Sequence, residues 1–264
     1  MSDPWISIVI PSYNRAPLLR RAIESVLTQT DTGWELLIVD DGSTDEAWTL
    51  AQTYADQYPK VRAERNAVNR GLAANFSYGA TRGNAPYLLL LAADDILDKY
   101  FLERTRSVIN DQTTVALVCG RRVHVKARNG RKRYYATPFI GRCEAGQTTG
   151  RALRNGNLYG LYSSVVVRRE NLVEIGGIRE DNSWAGDFEA WVRIAARHPI
   201  YFSPNALVFQ HIDSSTQTTH YVASGALIRY ELQTLNRLLK DDHVRAAITV
   251  SDARVALPTI DPSN

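Results

Sequence analysis

The chain has 264 residues, 44% of them hydrophobic, enough to bury a substantial core as one large domain or one domain with a small appendage. Charged residues make up 22% and the net charge is only +3, which argues against a nucleic-acid binder with its strong basic face. Cys119 and Cys143 lack CxxC spacing and histidine neighbours, so they read as reduced, buried thiols rather than a disulfide framework or a zinc site.

In chain order, Trp5 to Ile10 reads as a buried strand that the N-terminus enters without a secretory signal. Leu18 to Gln29 carries apolar residues at helical spacing, and Trp34 to Val39 is a second strand. The turn Asp40-Asp-Gly-Ser-Thr-Asp45 leads into a helix from about Glu46 to Tyr58. A short strand at Val61 to Glu64, a helix from about Leu72 to Thr81 and an apolar strand from Tyr87 to Ala92 follow. Near-continuous apolar strands separated by helices predict an α/β fold with a mostly parallel sheet covered on both faces.

The second half is less regular. A helix from about Lys99 to Asn110 precedes a strand at Thr114 to Gly120 and a hairpin turning at Arg128 to Arg131. Tyr162 to Val167 reads as a strand, and Asp187 to Arg197 as a helix with a core stripe of Phe188, Trp191, Val192 and Ala195. A last helix, about Val222 to Leu239, precedes a weakly patterned tail. The expected division is one domain over 1–220, in two halves at about 1–110 and about 111–220, and a helical extension over 221–264. The longest apolar stretch, Tyr87 to Ala93, is strand-sized, so a soluble, cytoplasmic protein with at most peripheral membrane contact is expected.

Ligands of open parallel sheets bind beyond the carboxyl ends of the strands. Three predicted strands end in polar groups there: Pro11-Ser-Tyr-Asn-Arg15, Asp40-Asp-Gly-Ser43 and Asp94-Asp95. Any one alone is an ordinary turn, but three on one edge indicate a site. No GxGxxG follows the first strand and no GxxxxGK[ST] occurs, which removes the usual dinucleotide and P-loop cradles. A nucleotidyltransferase would show a glycine-rich basic loop between Pro11 and Leu19, and that stretch has no glycine. Carboxylates repel a diphosphate directly, but they hold it through a hard cation, Mg²⁺ or Mn²⁺.

The blocks Ile8 to Arg15, Glu35 to Asp45, Asn69 to Asn75, Ala93-Asp-Asp95 and Gly186 to Arg193 resemble, in order and spacing, the inverting glycosyltransferases of the family 2 type. The resemblance implies a glycosyltransferase-A fold, a nucleoside-diphosphate sugar donor, most often UDP-linked, a divalent Mn²⁺ or Mg²⁺, and a saccharide or glycolipid acceptor. It places Pro11, Tyr13, Asn14 and Arg15 along the nucleotide pocket, Asp40 on the base, Asn75 in the nucleotide-side helix and Arg70 near the phosphates. Many members carry a further acidic residue where Ala92 stands. Ribose and metal duties therefore fall to Asp94 and Asp95, in an order the residues leave open, with Asp95 preferred on the metal. Asp187 is the expected general base, beside the aromatic Trp184 on the acceptor side. His211 matches a late block that closes over metal or diphosphate. Glu189 is expected to be solvated, as is the basic run Arg121, Arg122, Lys126, Arg128, Arg131, Lys132 and Arg133, whose functional alternatives are an acidic acceptor or an anionic membrane surface. The expected activity is inverting sugar transfer in polysaccharide or glycoconjugate synthesis. The alternative is a non-catalytic nucleotide-sugar-binding protein on the same scaffold.

Overall fold

The computed structural model describes residues 3–126, 131–135, 139–182, 185–212 and 226–248. Its first half alternates strand and helix: β1 (Ile6–Ser12), α1 (Ala16–Leu27), β2 (Trp34–Asp40), α2 (Ala47–Gln57), β3 (Val61–Arg65), α3 (Leu72–Arg82) and β4 (Tyr87–Leu90). A short β5 (Asp95–Leu97) and α4 (Phe101–Asp111) follow. The second half holds β6 (Leu117–Lys126), β7 (Lys132–Tyr134), β8 (Gly141–Cys143), α5 (Thr149–Asn155), β9 (Val165–Arg168), α6 (Arg169–Glu174), α7 (Gly186–Arg197) and β10 (Ile200–Ile212). It ends in α8 (Ala226–Leu238) and α9 (Asp242–Ala247).

One sheet runs through the molecule in the order β3-β2-β1-β4-β9-β6-β10-β5, with β7 on β6 and β8 on β10. β1 pairs in parallel with β2 and β4, β2 with β3, and β6 with β10. β9 is antiparallel to both its neighbours and joins the two parallel groups. Alternation along the strands sends Ile6, Ile8 and Ile10 to a core under α1, α2 and α4. It sends Val9, Leu37, Leu88 and Leu90 to a core under α3, α5 and α7. This is the doubly covered sheet that the apolar runs predict.

Close packing fixes the layers. A Cβ on Gly79 of α3 would lie 2.3 Å from Val9 Cγ1, so only glycine lets that helix settle on β1. Arg169 donates to the carbonyls of Ala80 and Ala85 and to Ser7 Oγ, which fastens the N-terminal half to the segment after β9.

The expected strand at Tyr162 begins instead with a 3₁₀ turn, Tyr162–Ser164, because Ser164 N–H donates to Leu161 O and the chain leaves Gly160 at a φ of +118°. The expected last helix starts at Ala226 among the described residues, and the weakly patterned tail contains α9. Asp241 caps α9 by accepting from the N–H groups of His243 and Val244, a signal available in the sequence. Leu238 and Val244 are fully buried in the α7-side core, so both terminal helices pack onto it. Cys119 and Cys143 are buried free thiols, and burial pushes the Cys119 thiol up.

Candidate active site

Asp40 and Ser12 sit side by side at the carboxyl ends of β2 and β1. Asp40 Oδ2 accepts from Ser43 N–H at 3.1 Å and pairs with Arg65 Nε at 3.1 Å. Its other oxygen, Oδ1, is buried without a donor, and so is Ser12 Oγ. Buried polar atoms are nearly always hydrogen-bonded, so two neighbouring orphans at a ligand-binding edge mark a place built for something to bind. Asp41, the next residue, faces the other way. It accepts from Asn66 Nδ2 and from the backbone N–H groups of Arg70 and Gly71, which shapes the loop into α3. Gly42, the residue after the two aspartates, turns at a φ of +77°.

Pro11 is buried within β1, and Tyr13 is exposed beyond its end. Asn14 is the one described non-glycine residue at positive φ, +51°. Its side-chain Oδ1 accepts from Thr44 N–H at 2.7 Å and its backbone N–H donates to Ser43 Oγ, so it locks the ends of β1 and β2 together. Asn75 is buried and engaged behind the pocket, donating to Val39 O and accepting from Asn66. The Arg70 guanidinium lies over the Tyr78 ring and 4.0 Å from Glu180.

Arg15 Nη1 contacts Asp94 Oδ2 at 2.8 Å, which ties the end of β1 to the segment after β4. Asp95 is buried, and its Oδ2 accepts from Gln210 Nε2 of β10 at 3.2 Å. Burial, with the adjacent Asp94 charge, pushes the Asp95 carboxyl up to about 7. Ser163, on the turn before β9, donates its hydroxyl to Asp95 and accepts from Ala92 N–H.

Asp187 lies in the first turn of α7, one residue inside the helix, rather than at its N-cap, which is Ala185. Its Oδ1 accepts from Phe188 N–H at 2.6 Å and its Oδ2 from Asn157 Nδ2 at 3.2 Å. Burial pushes this carboxyl up to about 7, while the Arg122 charge acts in the opposite direction. Gly186 has no room for a side chain, because its Cβ would lie 2.7 Å from Tyr162 Oη.

Two expectations fail here. Glu189 is not solvated: it is buried and pairs with Arg237 of α8 at 2.9 Å and with Asn182 at 2.9 Å. Helix α8, whose packing the sequence does not reveal, covers that face of α7 and supplies the cation. Arg122 is not a solvated member of a basic run either. It is half-buried and close enough to both Asp95 and Asp187 that the two charges act on it. Gln210, Ser163 and Asn157 also escape sequence reading. Trp184 lies outside the described residues, and of His211 only the backbone in β10 is described.

Among the described residues no group of three or more His, Cys, Asp or Glu forms a metal cluster. Asp94 and Asp95 supply adjacent carboxylates, hard oxygen donors of the kind Mn²⁺ and Mg²⁺ take. A cation between them would relieve the mutual repulsion that raises Asp95, so the donor set fits a divalent ion that completes its shell from a ligand and water. No helix among the described residues is long and apolar enough to cross a membrane.

Residues 7–176 match the family described as Glycosyl transferase family 2. An uncharacterized glycosyltransferase of Rickettsia typhi is 26% identical over 237 residues, which cover 87% of this chain and 70% of the relative. A putative glycosyltransferase, EpsE of Bacillus subtilis, is 33% identical over 113 residues, 40% of this chain and 41% of EpsE. The fold superposes on Staphylococcus aureus TarS 1–349 in complex with UDP with a TM-score of 0.68 at 17% identity, over 90% of this chain and 66% of that one. It superposes on the mannosyltransferase PcManGT of Pyrobaculum calidifontis, in complex with GDP-Man and Mn²⁺, with a TM-score of 0.65 at 15% identity, over 97% and 72%.

Proposed function

The chain belongs to glycosyl transferase family 2, and on that premise we propose an inverting, metal-dependent transfer of a sugar from a UDP-linked donor to an acceptor hydroxyl. One observation carries the reading. Asp40, the Asp94–Asp95 pair and Asp187 come from three separate segments and line one end of the sheet, and Asp40 Oδ1 is left buried without a donor. That oxygen is free to accept a ring N–H of a base, which uracil offers, while the exposed Tyr13 ring can stack on its face. The UDP and UDP-GlcNAc bound to TarS support a uridine donor.

Asp95 and Asp94 would hold Mn²⁺ or Mg²⁺, which when bound supplies Lewis-acid stabilisation of the charge on the departing diphosphate. The Mn²⁺ with PcManGT supports this assignment. Arg15 holds Asp94 in place, and Gln210 and Ser163 orient Asp95. Asp187, oriented by Phe188 N–H and Asn157, takes the proton of the acceptor hydroxyl as its oxygen bonds to the anomeric carbon and the bond to the diphosphate breaks. A single displacement of this kind inverts the anomeric centre. Residues 1–110 form the donor half in this reading and 111–220 the acceptor half. The setting is cytoplasmic synthesis of a polysaccharide or glycoconjugate.

The test is calorimetric titration of UDP, GDP, TDP and CDP, each with Mn²⁺ and with EDTA, into wild type and Asp95→Ala. The expected result is metal-dependent binding of UDP that the substitution removes. If no diphosphate shows metal-dependent binding, the mechanism is wrong. Binding without transfer to any saccharide would favour a nucleotide-sugar-binding protein.

A further inference from the structure

The β6–β7 hairpin gathers several cations that meet rings rather than carboxylates. A number of exposed arginines elsewhere do meet carboxylates: Arg82 with Glu64, Arg104 with Asp98, Arg106 with Asp31 and Arg179 with Asp181. Among the described residues, Arg121, Arg122, Lys132 and Arg133 form no ion pair. They lie instead against aromatic rings. The Arg121 guanidinium is 5.3 Å from the Tyr134 ring centre, and Lys132 Nζ is 4.9 Å from that of Phe209. Arg122 and Arg133 both lie over Tyr135, at 5.4 and 5.2 Å, and the His124 ring centre is 4.2 Å from that of Tyr135.

Strand register separates these contacts into two faces. His124 is paired with Arg133 on one side and with Gln210 on the other, and Gln210 is paired with Asp95. Side chains of paired residues share a face and alternate along each strand, so Arg122, His124 and Arg133 share the face of Gln210 and Asp95. Arg122 is the inner rung, within the fields of Asp95 and Asp187, and Arg133 is the exposed outer rung. Tyr135 stands between them.

We propose that this arginine–tyrosine ladder is a subsite for an acidic saccharide acceptor. It would hold an oxyanion of the acceptor on Arg133 and Arg122, with Tyr135 keeping the two guanidiniums apart, while the accepting hydroxyl reaches Asp187. Guanidinium forks match carboxylate and phosphate oxygens. The register that sets both guanidiniums on the face of Gln210 and Asp95, leading to the site, favours an acceptor over a lipid surface. The inference rests on the transferase reading for its direction, but its test can fail separately.

The probe is a fluorescent galacturonic acid oligomer, set against a galactose oligomer of the same length. Binding is followed by anisotropy at low ionic strength, with and without UDP and Mn²⁺. Wild type is expected to bind the acidic oligomer about tenfold more tightly than the neutral one, with the difference shrinking as salt screens it. Arg133→Glu should lose about tenfold for the acidic oligomer, and Arg133→Gln about threefold. UDP binding should be unchanged in both, which also shows that the variants fold. Equal binding of the two oligomers by wild type, or unaltered binding by Arg133→Glu, would overturn the subsite. So would binding to phosphatidylglycerol vesicles that depends on Arg133 without retention of the acidic oligomer, which would assign the ladder to a membrane. Loss of UDP binding by wild type, with oligomer discrimination intact, would instead strike the donor reading alone.

Discussion

Asp187 combines burial with oriented hydrogen bonds, and its titration should control the reaction. A base must be ionised to accept a proton, and burial pushes this carboxyl up to about 7, so it is largely protonated at pH 6 and largely charged at pH 8. The turnover rate should therefore rise with pH through about 7 and then level off, as read in a kcat–pH profile. Arg122 favours the charged form, so Arg122→Gln should move that limb to higher pH; a limb that stays in place would remove Arg122 from this role. Asp187→Asn should reduce turnover by about a hundredfold or more while leaving UDP binding intact. Much of this edge was legible from residue identity and spacing, because Asp40 ends a strand, Asp94 and Asp95 follow an apolar one and Asp187 opens a helix. The sequence could not show which carboxylate of an adjacent pair faces the ligand. Asp40 has an orphan oxygen and Asp41 has three donors, yet both stand in the same Asp-Asp-Gly turn. Arg122 was hidden for a related reason: Arg131, Lys132 and Arg133 of the same run are exposed, and only the strand pairing sets Arg122 deeper.

At the scale of elements, helix α7 is held from two sides. Glu189 pairs with Arg237 of α8, and Arg193 and Arg197 both reach Asp241, the cap of α9. Breaking a buried pair leaves an uncompensated charge, so Glu189→Ala should cost about 3 kcal/mol of stability, measured by denaturant unfolding. A loss no larger than that of a surface substitution would mean the joint is solvated. Gly79→Ala should cost about 2 kcal/mol by forcing α3 away from Val9. The first-half elements were readable because apolar runs of strand length alternate with helical stripes. The later ones were not: β5, β7 and β8 are each of 3 residues, too short for a periodic signal, and pairing alone makes them strands. Helix α8 shows an apolar stripe, but nothing local says that it covers Glu189.

For the molecule as a whole, the terminal helices complete the core around α7 rather than hang from it. Truncation after residue 225 would uncover the sites of Leu238 and Val244 and leave Glu189 without Arg237. The shortened chain should melt at clearly lower temperature, and an unchanged Tm would show the extension to be dispensable. The placement of β9 has a consequence for synthesis on the ribosome. β1 to β4 can assemble once about the first 90 residues have emerged, but the next strand in the sheet, β9, lies at Val165–Arg168. Until it arrives, β4 is an open strand edge rich in leucine, exposed during translation of the whole intervening stretch. Nascent chains stalled near residue 120 should therefore recruit holdase chaperones, and chains stalled well past residue 200, with β9 clear of the exit tunnel, should release them.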